Sequence, residues 1–307
     1  MSETSIPTLL SHLPAGHTTV PIINPTNGKR IYDLPQLSGA DVVSAVDKAR
    51  VAQKSWQAVS PAARAQILLR THDLLMANQD RLLDLVQLET GKAKSHAFEE
   101  VAGAYGAARY FGKISAKALK PKRTKAGIPI LTKTWVEHAP LGVVGVITPW
   151  NYPLALTMLD VLPALAAGNA VVQKSDNQTA LTVLFARHLA IEAGIPEAAW
   201  TVVVGGGAEV GNAITDNADY VAFTGSTATG RMVAERAAKR LIGYSLELGG
   251  KNPMIVLEGA NIKRAAELAL AGAFGSAGQL CVSLERVYVP NHLKDAFLTE
   301  LAARARS

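Results

Sequence analysis

Between residues 142 and 248, short apolar stretches alternate with segments whose apolar residues recur at helical spacing. The strand-like stretches are residues 142–147, 170–173, 201–204, 220–223 and 243–248. The first of them is rich in β-branched residues throughout, which is typical of a strand buried on both faces. Alternating strands and helices of this kind predict a parallel α/β sheet with right-handed crossovers.

The first 120 residues have a mainly helical pattern. Residues 1–40 predict a loosely structured lead-in, with a turn at residues 24–28. Further along, Ser60 and Gly91 are suited to a helix start and a helix end. The predicted helices lie at about 41–56, from Pro61 onward, at 79–89 and at 93–119. Residues 130–139 then alternate in a way that predicts an exposed strand.

Composition limits the class of protein. A chain of 307 residues suggests roughly two domains of about 150 residues. Apolar residues make up 49% and charged residues 18%, which is ordinary globular composition. The single cysteine excludes an internal disulfide framework and favours a reducing compartment. The first 20 residues lack the pattern of a secretory signal, and no apolar run approaches a membrane span, so we expect a cytoplasmic protein.

Positive charge is concentrated in one segment. The net charge is +6, and residues 101–135 contain eight basic side chains and no acidic one. Such a segment could meet nucleic acid or a membrane surface, or it could be a solvated excursion. Because no recognisable nucleic-acid motif accompanies it, the solvated excursion is favoured. We therefore expect neither nucleic acid nor a membrane as a partner.

Polar residues lie at or shortly after the carboxyl ends of four of the predicted strands. They are Asn151, Lys174, Ser226 and Glu247. In open parallel sheets, ligands bind beyond the carboxyl ends of the strands, so these side chains are candidates for a binding site. Three of them also have a structural alternative: Asn151 could simply form a turn, Lys174 could be a solvated lysine, and Glu247 could be a paired carboxylate at a strand end.

A glycine-rich turn lies at residues 225–230, where the pattern is Gly followed by Gly five positions later. Arg231 and Met232 follow it, so the lysine and hydroxyl of a nucleotide-hydrolase loop are missing. The turn could offer backbone N–H groups to a pyrophosphate, or it could be a plain strand-to-helix connection. Residues 205–211 do not match the common dinucleotide fingerprint either.

Cys281 is the candidate nucleophile. It lies in a loop at about 275–283, which a predicted helix at 261–274 precedes and a predicted strand at 286–290 follows. A free thiol needs a cationic neighbour or a base to become reactive, and a buried, inert cysteine is the alternative. The histidines form no spaced pair or cysteine–histidine cluster, so we expect no metal site.

Four motifs occur in a fixed order along the chain. They are Pro-Trp-Asn-Tyr-Pro at 149–153, Phe-Thr-Gly-Ser at 223–226, Glu-Leu-Gly-Gly-Lys-Asn-Pro at 247–253 and Gly-Gln-Leu-Cys at 278–281. From about residue 20 onward the chain resembles the NAD(P)-dependent aldehyde dehydrogenase superfamily. Within it, residues 212–217 and 240–245 resemble the NADP-preferring succinate-semialdehyde dehydrogenases of actinobacteria.

The resemblance implies roles for the matching residues. Cys281 would attack the aldehyde carbon, and the Asn151 amide and the Cys281 backbone N–H would form the oxyanion hole. Glu247 would activate the water that hydrolyses the thioester. The implied cofactor contacts are Trp150, Asn151, Lys174, Ser175, Asp176, Asn177, Gly225, Ser226 and Leu248.

Two departures from the family pattern matter. Asn177 stands where many NAD-preferring members carry a glutamate, which reduces repulsion of a 2′-phosphate, although Asp176 returns some negative charge. We therefore expect NADP, with NAD possible. Family members also continue well past this length, so the resemblance implies a C-terminally truncated chain. Its alternative function is a catalytically silent cofactor-binding or interaction fragment.

The resemblance also implies a domain organisation. Residues 1–248 would be a Rossmann-like NAD(P)-binding domain with a helical N-terminal region. Residues 249–307 would be the N-terminal part of an incomplete α/β catalytic domain. Residues 121–140 resemble the arm through which family members form homo-oligomers.

Overall fold

The computed structural model describes residues 5–128 and 130–306, and the chain divides after Glu247 into two units. Residues 1–4 of the expected lead-in, Pro129 of the expected arm and Ser307 lie outside the described residues. The first unit contains a five-stranded sheet, and the second unit contains Cys281.

The N-terminal region is helical, as predicted, and also contains a β-hairpin. Its elements are α1 (Ile6–Leu10), β1 (Thr18–Ile23), β2 (Arg30–Gln36), α2 (Gly39–Ala58), α3 (Pro61–Ala77), α4 (Gln79–Thr90) and α5 (Lys94–Ala118). Ser60 caps α3 by accepting a hydrogen bond from the Ala63 N–H. Gly91 ends α4 in the left-handed region, at φ 71°, which glycine adopts without strain.

The expectation of a loosely structured lead-in is wrong for the described part of residues 1–40. β1 and β2 pair antiparallel there, and Leu9 and Leu34 are completely buried in the main core. The reason is tertiary packing, since the segment bonds to a residue that is distant in sequence. The Leu37 N–H donates to the Val204 carbonyl at 3.1 Å. Burial against distant residues gives this segment its order, and no local pattern carries that information.

The basic segment ends in a short hairpin of β3 (Lys122–Thr124) and β4 (Thr134–Val136). The predicted strand at 130–139 is therefore too long, since only Thr134–Val136 form a strand there. A turn shortens it, because the Thr132 N–H donates to the Ile128 carbonyl at 3.1 Å. All described residues of both strands are exposed.

The predicted parallel α/β sheet is confirmed. Its strands are β5 (Val143–Ile147), β6 (Ala170–Lys174), β7 (Trp200–Val203), β8 (Tyr220–Thr224) and β9 (Gly243–Glu247). The helices between them are α6 (Pro153–Ala166), α7 (Ala180–Glu192), α8 (Gly207–Asn217) and α9 (Thr227–Lys239). The order across the sheet is β7-β6-β5-β8-β9, and every pairing is parallel.

This order places a topological switch point between β5 and β8, where ligands bind in doubly wound sheets. β5 and β6 are buried along their whole length. Gly145 allows α8 to pack closely on β5, since a Cβ there would lie 2.3 Å from the Ile214 side chain. β9, in contrast, is largely exposed, and among the described residues it pairs with β8 at one edge of the sheet.

The second unit contains β10 (Asn252–Ile255), α10 (Ile262–Phe274), β11 (Leu284–Tyr288) and α11 (Lys294–Arg306). β10 and β11 pair in parallel, and the helices cover a small core that includes Val256, Ala266 and Phe297. β11 begins and ends two residues earlier than the predicted strand at 286–290. Across the described parts of both units, no helix combines the length and apolar character that crossing a membrane requires.

Candidate functional site

The loop after β5 carries Trp150 and Asn151. The Trp150 side chain is 44% exposed, and the Asn151 Oδ1 accepts a hydrogen bond from the Tyr152 N–H at 3.0 Å. That bond orients the amide, so the Nδ2 group is its donor end. The loop itself is joined to the neighbouring strand, because the Thr148 N–H donates to the Lys174 carbonyl at 3.1 Å.

Lys174 ends β6 with a side chain that is only 7% exposed, so the alternative of a solvated lysine is wrong. Its Nζ donates to the Ser175 carbonyl at 3.0 Å. Burial lowers the pKa of Lys174, and the nearby Asp176 carboxylate opposes that shift. A buried ammonium with few partners is costly, and such groups often serve a ligand.

The residues after Lys174 form a hydrogen-bonded segment. Ser175 is fully buried, and its hydroxyl donates to the Asp176 carbonyl at 3.1 Å. The Asp176 side chain accepts from the Gln178 N–H at 2.9 Å and caps the short 3-10 turn that follows. Asn177 Nδ2 donates to the Gln36 side chain at 3.2 Å, and its Oδ1 accepts from the Gly205 N–H at 3.0 Å. Asn177 thus joins β2 to the loop after β7.

The turn after β8 contains Gly225 and Ser226. The Gly225 N–H donates to the Glu247 carbonyl at 3.0 Å, and a Cβ at this position would lie 2.6 Å from the Phe223 ring. Ser226 is exposed and caps α9 by accepting from the Thr229 N–H at 3.2 Å. The α9 N-terminus therefore begins at the switch-point side of β8, where its N–H groups are suited to an anion.

Glu247 ends β9 and is exposed. Within the described residues its carboxylate takes part in no salt bridge, so the paired-carboxylate alternative is not what the structure contains. Burial, with a contribution from the Glu247 charge, raises the pKa of Asp160 on α6 to about 6. Leu248 follows as the first residue of the second unit and is half-buried.

Parallel strands end at one edge of a sheet, so Asn151, Lys174, Ser226 and Glu247 share that edge. The two chain segments closest to the switch point are those after β5 and β8. The first unit thus collects the predicted strand-end residues along one side of its sheet. Among the described residues, no group of three or more histidine, cysteine or carboxylate side chains could hold a metal ion.

Cys281 lies in the second unit and is exposed, so the alternative of a buried cysteine is wrong. The 3-10 turn Gly275–Gly278 precedes it, and inside that turn Ser276 and Ala277 have φ values of 51° and 58°. Residues other than glycine rarely adopt such backbone angles, and backbone strain of this kind often occurs at functional sites.

Asn252 holds the Cys281 loop in place. Its Nδ2 donates to the Cys281 carbonyl at 2.7 Å and to the Ser283 carbonyl at 3.0 Å. Asn252 belongs to the motif at residues 247–253, but the sequence alone predicts no role for it. The only signal that could have identified it is an amide placed between a glycine pair and a proline.

A model of the aldehyde dehydrogenase family matches residues 12–307. Among curated proteins, one from Mycolicibacterium smegmatis is 48% identical over 287 residues and is named "Putative succinate-semialdehyde dehydrogenase", with NADP(+) as its cofactor. The alignment covers 94% of this chain and 56% of that protein. The chain therefore spans about half the length of the curated relatives it matches.

Solved structures agree in fold. A crystal structure of an Escherichia coli NADP-dependent enzyme superposes with a TM-score of 0.91 at 34% identity, covering 95% of this chain and 61% of that one. A Staphylococcus aureus betaine aldehyde dehydrogenase in complex with NAD+ superposes with a TM-score of 0.92 at 31% identity, covering 97% and 62%.

Proposed function

The chain belongs to the aldehyde dehydrogenase family, and from that premise we propose that it oxidises an aldehyde to the carboxylate with NADP+ or NAD+. Cys281 is the nucleophile, Asn151 an oxyanion donor and Glu247 the general base. The observation that carries the proposal is an exposed thiol three residues after the end of a strained turn, in the Gly-Gln-Leu-Cys context.

In the proposed reaction the Cys281 sulfur bonds to the aldehyde carbon, and the carbonyl oxygen becomes an oxyanion in the thiohemiacetal. The Asn151 amide and the Cys281 N–H donate to that oxygen. When bound, the nicotinamide supplies the hydride acceptor. Once the former aldehyde carbon has lost its hydride, a thioester remains, and a water that gives its proton to Glu247 adds to the thioester carbon. The C–S bond then breaks, which releases the carboxylic acid product and returns Cys281 to the thiolate that began the cycle.

The residues at the carboxyl edge of the sheet fit a pyridine dinucleotide by their chemistry. Lys174 provides a buried cation, and the first turn of α9 after Ser226 provides N–H donors for an anion. The half-exposed Trp150 provides an aromatic face. Gly225 lies in the turn before Ser226, where a Cβ would clash with the Phe223 ring.

Preference for NADP+ is supported by Asn177, which is neutral and already engaged with Gln36 and Gly205. The Asp176 charge is directed to its own backbone turn, through the bond to Gln178. Asn177 therefore carries no charge that would repel a 2′-phosphate, and Asp176 is the one acidic side chain in residues 174–177. The NADP(+) in the name of the Mycolicibacterium relative supports the same preference.

Succinate semialdehyde is the aldehyde that we propose, and its support is the name of the curated relatives. Residues 1–248 are proposed as the cofactor domain and residues 249–307 as part of the catalytic domain. Residues 121–140 are proposed as an assembly arm for further copies of the chain. Exposed apolar side chains along this segment, including Leu131 and Trp135, support that role.

A catalytically silent cofactor-binding fragment is the second candidate, because the chain spans about half the length of its curated relatives. Alkylation of Cys281 by iodoacetamide, with and without NADP+, separates the two. We expect NADP+ to accelerate labelling in the wild-type chain and to have no effect after Lys174→Met. A labelling rate that NADP+ leaves unchanged or slows would contradict the enzyme proposal.

A further inference from the structure

Two buried carboxylates of the N-terminal helical region accept hydrogen bonds from the first turns of α6 and α7, two helices that connect strands of the sheet. Glu100, on α5, accepts from the Leu154 N–H of α6 at 2.8 Å and also from the Ala155 backbone. Glu89, on α4, accepts from the Leu181 N–H of α7 at 2.9 Å. Both side chains are almost completely buried.

Neither helix supplies a cap of its own. Tyr152 is the N-cap residue of α6 and Thr179 that of α7, and neither side chain makes a capping hydrogen bond. The first N–H groups of a helix need acceptors, and negative charge is stabilised there. Two carboxylates distant in sequence therefore provide what local residues normally provide.

Both helices begin directly after a segment that carries proposed site residues. The α6 cap fixes the loop with Trp150 and Asn151, and the α7 cap fixes the segment that starts at Lys174. We propose that Glu100 and Glu89 are positioning residues, the first for the Asn151 loop and the second for the 174–177 segment. The inference rests on the proposed function for the roles of those two segments.

The Glu100 side has a second contact with the Asn151 loop. The Lys92 side chain, 5% exposed, forms a salt bridge with Glu100. The same Lys92 Nζ lies 3.4 Å from the centroid of the Tyr152 ring, a cation–π geometry. Because Tyr152 follows Asn151 in sequence, the ion pair holds both the first turn of α6 and the residue next to the proposed oxyanion donor.

The Glu89 carboxylate accepts hydrogen bonds from neutral donors. Glu89 Oε2 accepts from the Thr182 N–H at 2.9 Å and from the Thr182 hydroxyl at 2.7 Å, and its Oε1 also accepts from the Tyr32 hydroxyl at 2.9 Å. Gln178, inside the loop, donates to the Glu89 carbonyl at 2.9 Å. The Glu89 side chain therefore holds the first turn of α7, and its backbone carbonyl holds the segment between β6 and α7.

The test compares hydrogen exchange in two peptides, residues 149–156 and 174–182, and needs neither aldehyde nor turnover. Glu100→Gln should accelerate exchange only in the first peptide, by about tenfold or more, since a buried charged acceptor is lost. The double variant Lys92→Met/Glu100→Gln should recover part of that protection, because it leaves no unpaired ammonium and keeps an amide oxygen for α6.

Thr182→Val and Tyr32→Phe test the Glu89 side without removing the carboxylate. Thr182→Val should accelerate exchange only in residues 174–182 and weaken NADP+ binding about tenfold, whereas Tyr32→Phe, which removes a donor outside α7, should leave NADP+ affinity unchanged. Equal acceleration in both peptides, or in neither, would overturn the inference. A wild-type chain that does not bind NADP+ would instead refute the proposed function, while the exchange pattern would still decide this one.

Discussion

Replacing Asn252 with aspartate should release the Cys281 loop while changing almost no volume. Asn252 acts only as a donor toward this loop, since its Nδ2 bonds the Cys281 and Ser283 carbonyls at 2.7 and 3.0 Å. In Asn252→Asp a carboxylate oxygen would take the place of that donor. Two attractive contacts would then become two contacts between oxygens that both carry negative charge.

The magnitude follows from these two contacts. A neutral hydrogen bond contributes about 1 kcal/mol net, so losing both costs about 2 kcal/mol. Repulsion between the new carboxylate and the two carbonyls adds about 1 kcal/mol at most, because Asn252 is only half-buried and water screens it. A total of about 2–3 kcal/mol corresponds to a change of roughly 30- to 150-fold in the population of the ordered loop.

Hydrogen exchange of residues 279–284 measures that population. In the ordered loop the Gln279 N–H donates to the Ser276 carbonyl, and the Ser283 N–H donates to the Leu280 carbonyl, both at 3.1 Å. Exchange at these amides should rise by the same 30- to 150-fold in Asn252→Asp. An unchanged rate would show that Asn252 does not hold the loop.

Asn261→Asp is the matched control in the same unit. The Asn261 side chain is an acceptor, because its Oδ1 caps α10 by accepting from the Arg264 N–H at 3.0 Å. An aspartate keeps that acceptor and adds a favourable charge at a helix N-terminus, so stability should stay equal or rise slightly. If both substitutions loosened the Cys281 loop equally, the effect would be a general destabilisation of the unit.

Three further predictions concern the first unit. Gly225→Ala should lower the free energy of unfolding by about 2 kcal/mol in urea titrations, because its Cβ would lie 2.6 Å from the Phe223 ring. Burial raises the pKa of Glu89 to about 7, so the stability that its protonation provides is present at low pH and lost as pH rises through 7. The unfolding free energy of wild type minus that of Glu89→Gln should therefore fall by up to about 3 kcal/mol from pH 4.5 to 8, and a constant difference would contradict it. Lys174→Met should remove a cation and weaken NADP+ binding at least about tenfold in calorimetry, and equal affinity would exclude Lys174 from the cofactor site.

The parts of the fold that follow from local pattern could be predicted from sequence. The strands of the sheet and the caps at Ser60 and Gly91 depend on residues within a few positions of each other. The N-terminal hairpin could not be predicted, because Leu34 is buried by residues far away in the chain. The edge position of β9 could not be predicted either, since it depends on the order in which the strands pair.

The candidate site divides in the same way. Asn151, Lys174, Ser226 and Glu247 could be predicted to share one edge, because each follows a strand of a parallel sheet. The partners that hold their loops could not be predicted. Glu100 and Leu154 are 54 positions apart, and no periodicity links a carboxylate in one helix to the first turn of another.

The proposed catalytic role of Cys281 is tested most directly by NADPH formation from succinate semialdehyde. The chain is compared with a version extended by the C-terminal portion of the Mycolicibacterium relative, each with and without Cys281→Ala. We expect the extended version to form NADPH and to lose at least about 10³-fold in rate after Cys281→Ala. An extended version that keeps its rate without the thiol, or that binds NADP+ and oxidises no aldehyde, would contradict the cysteine-dependent oxidation proposed here.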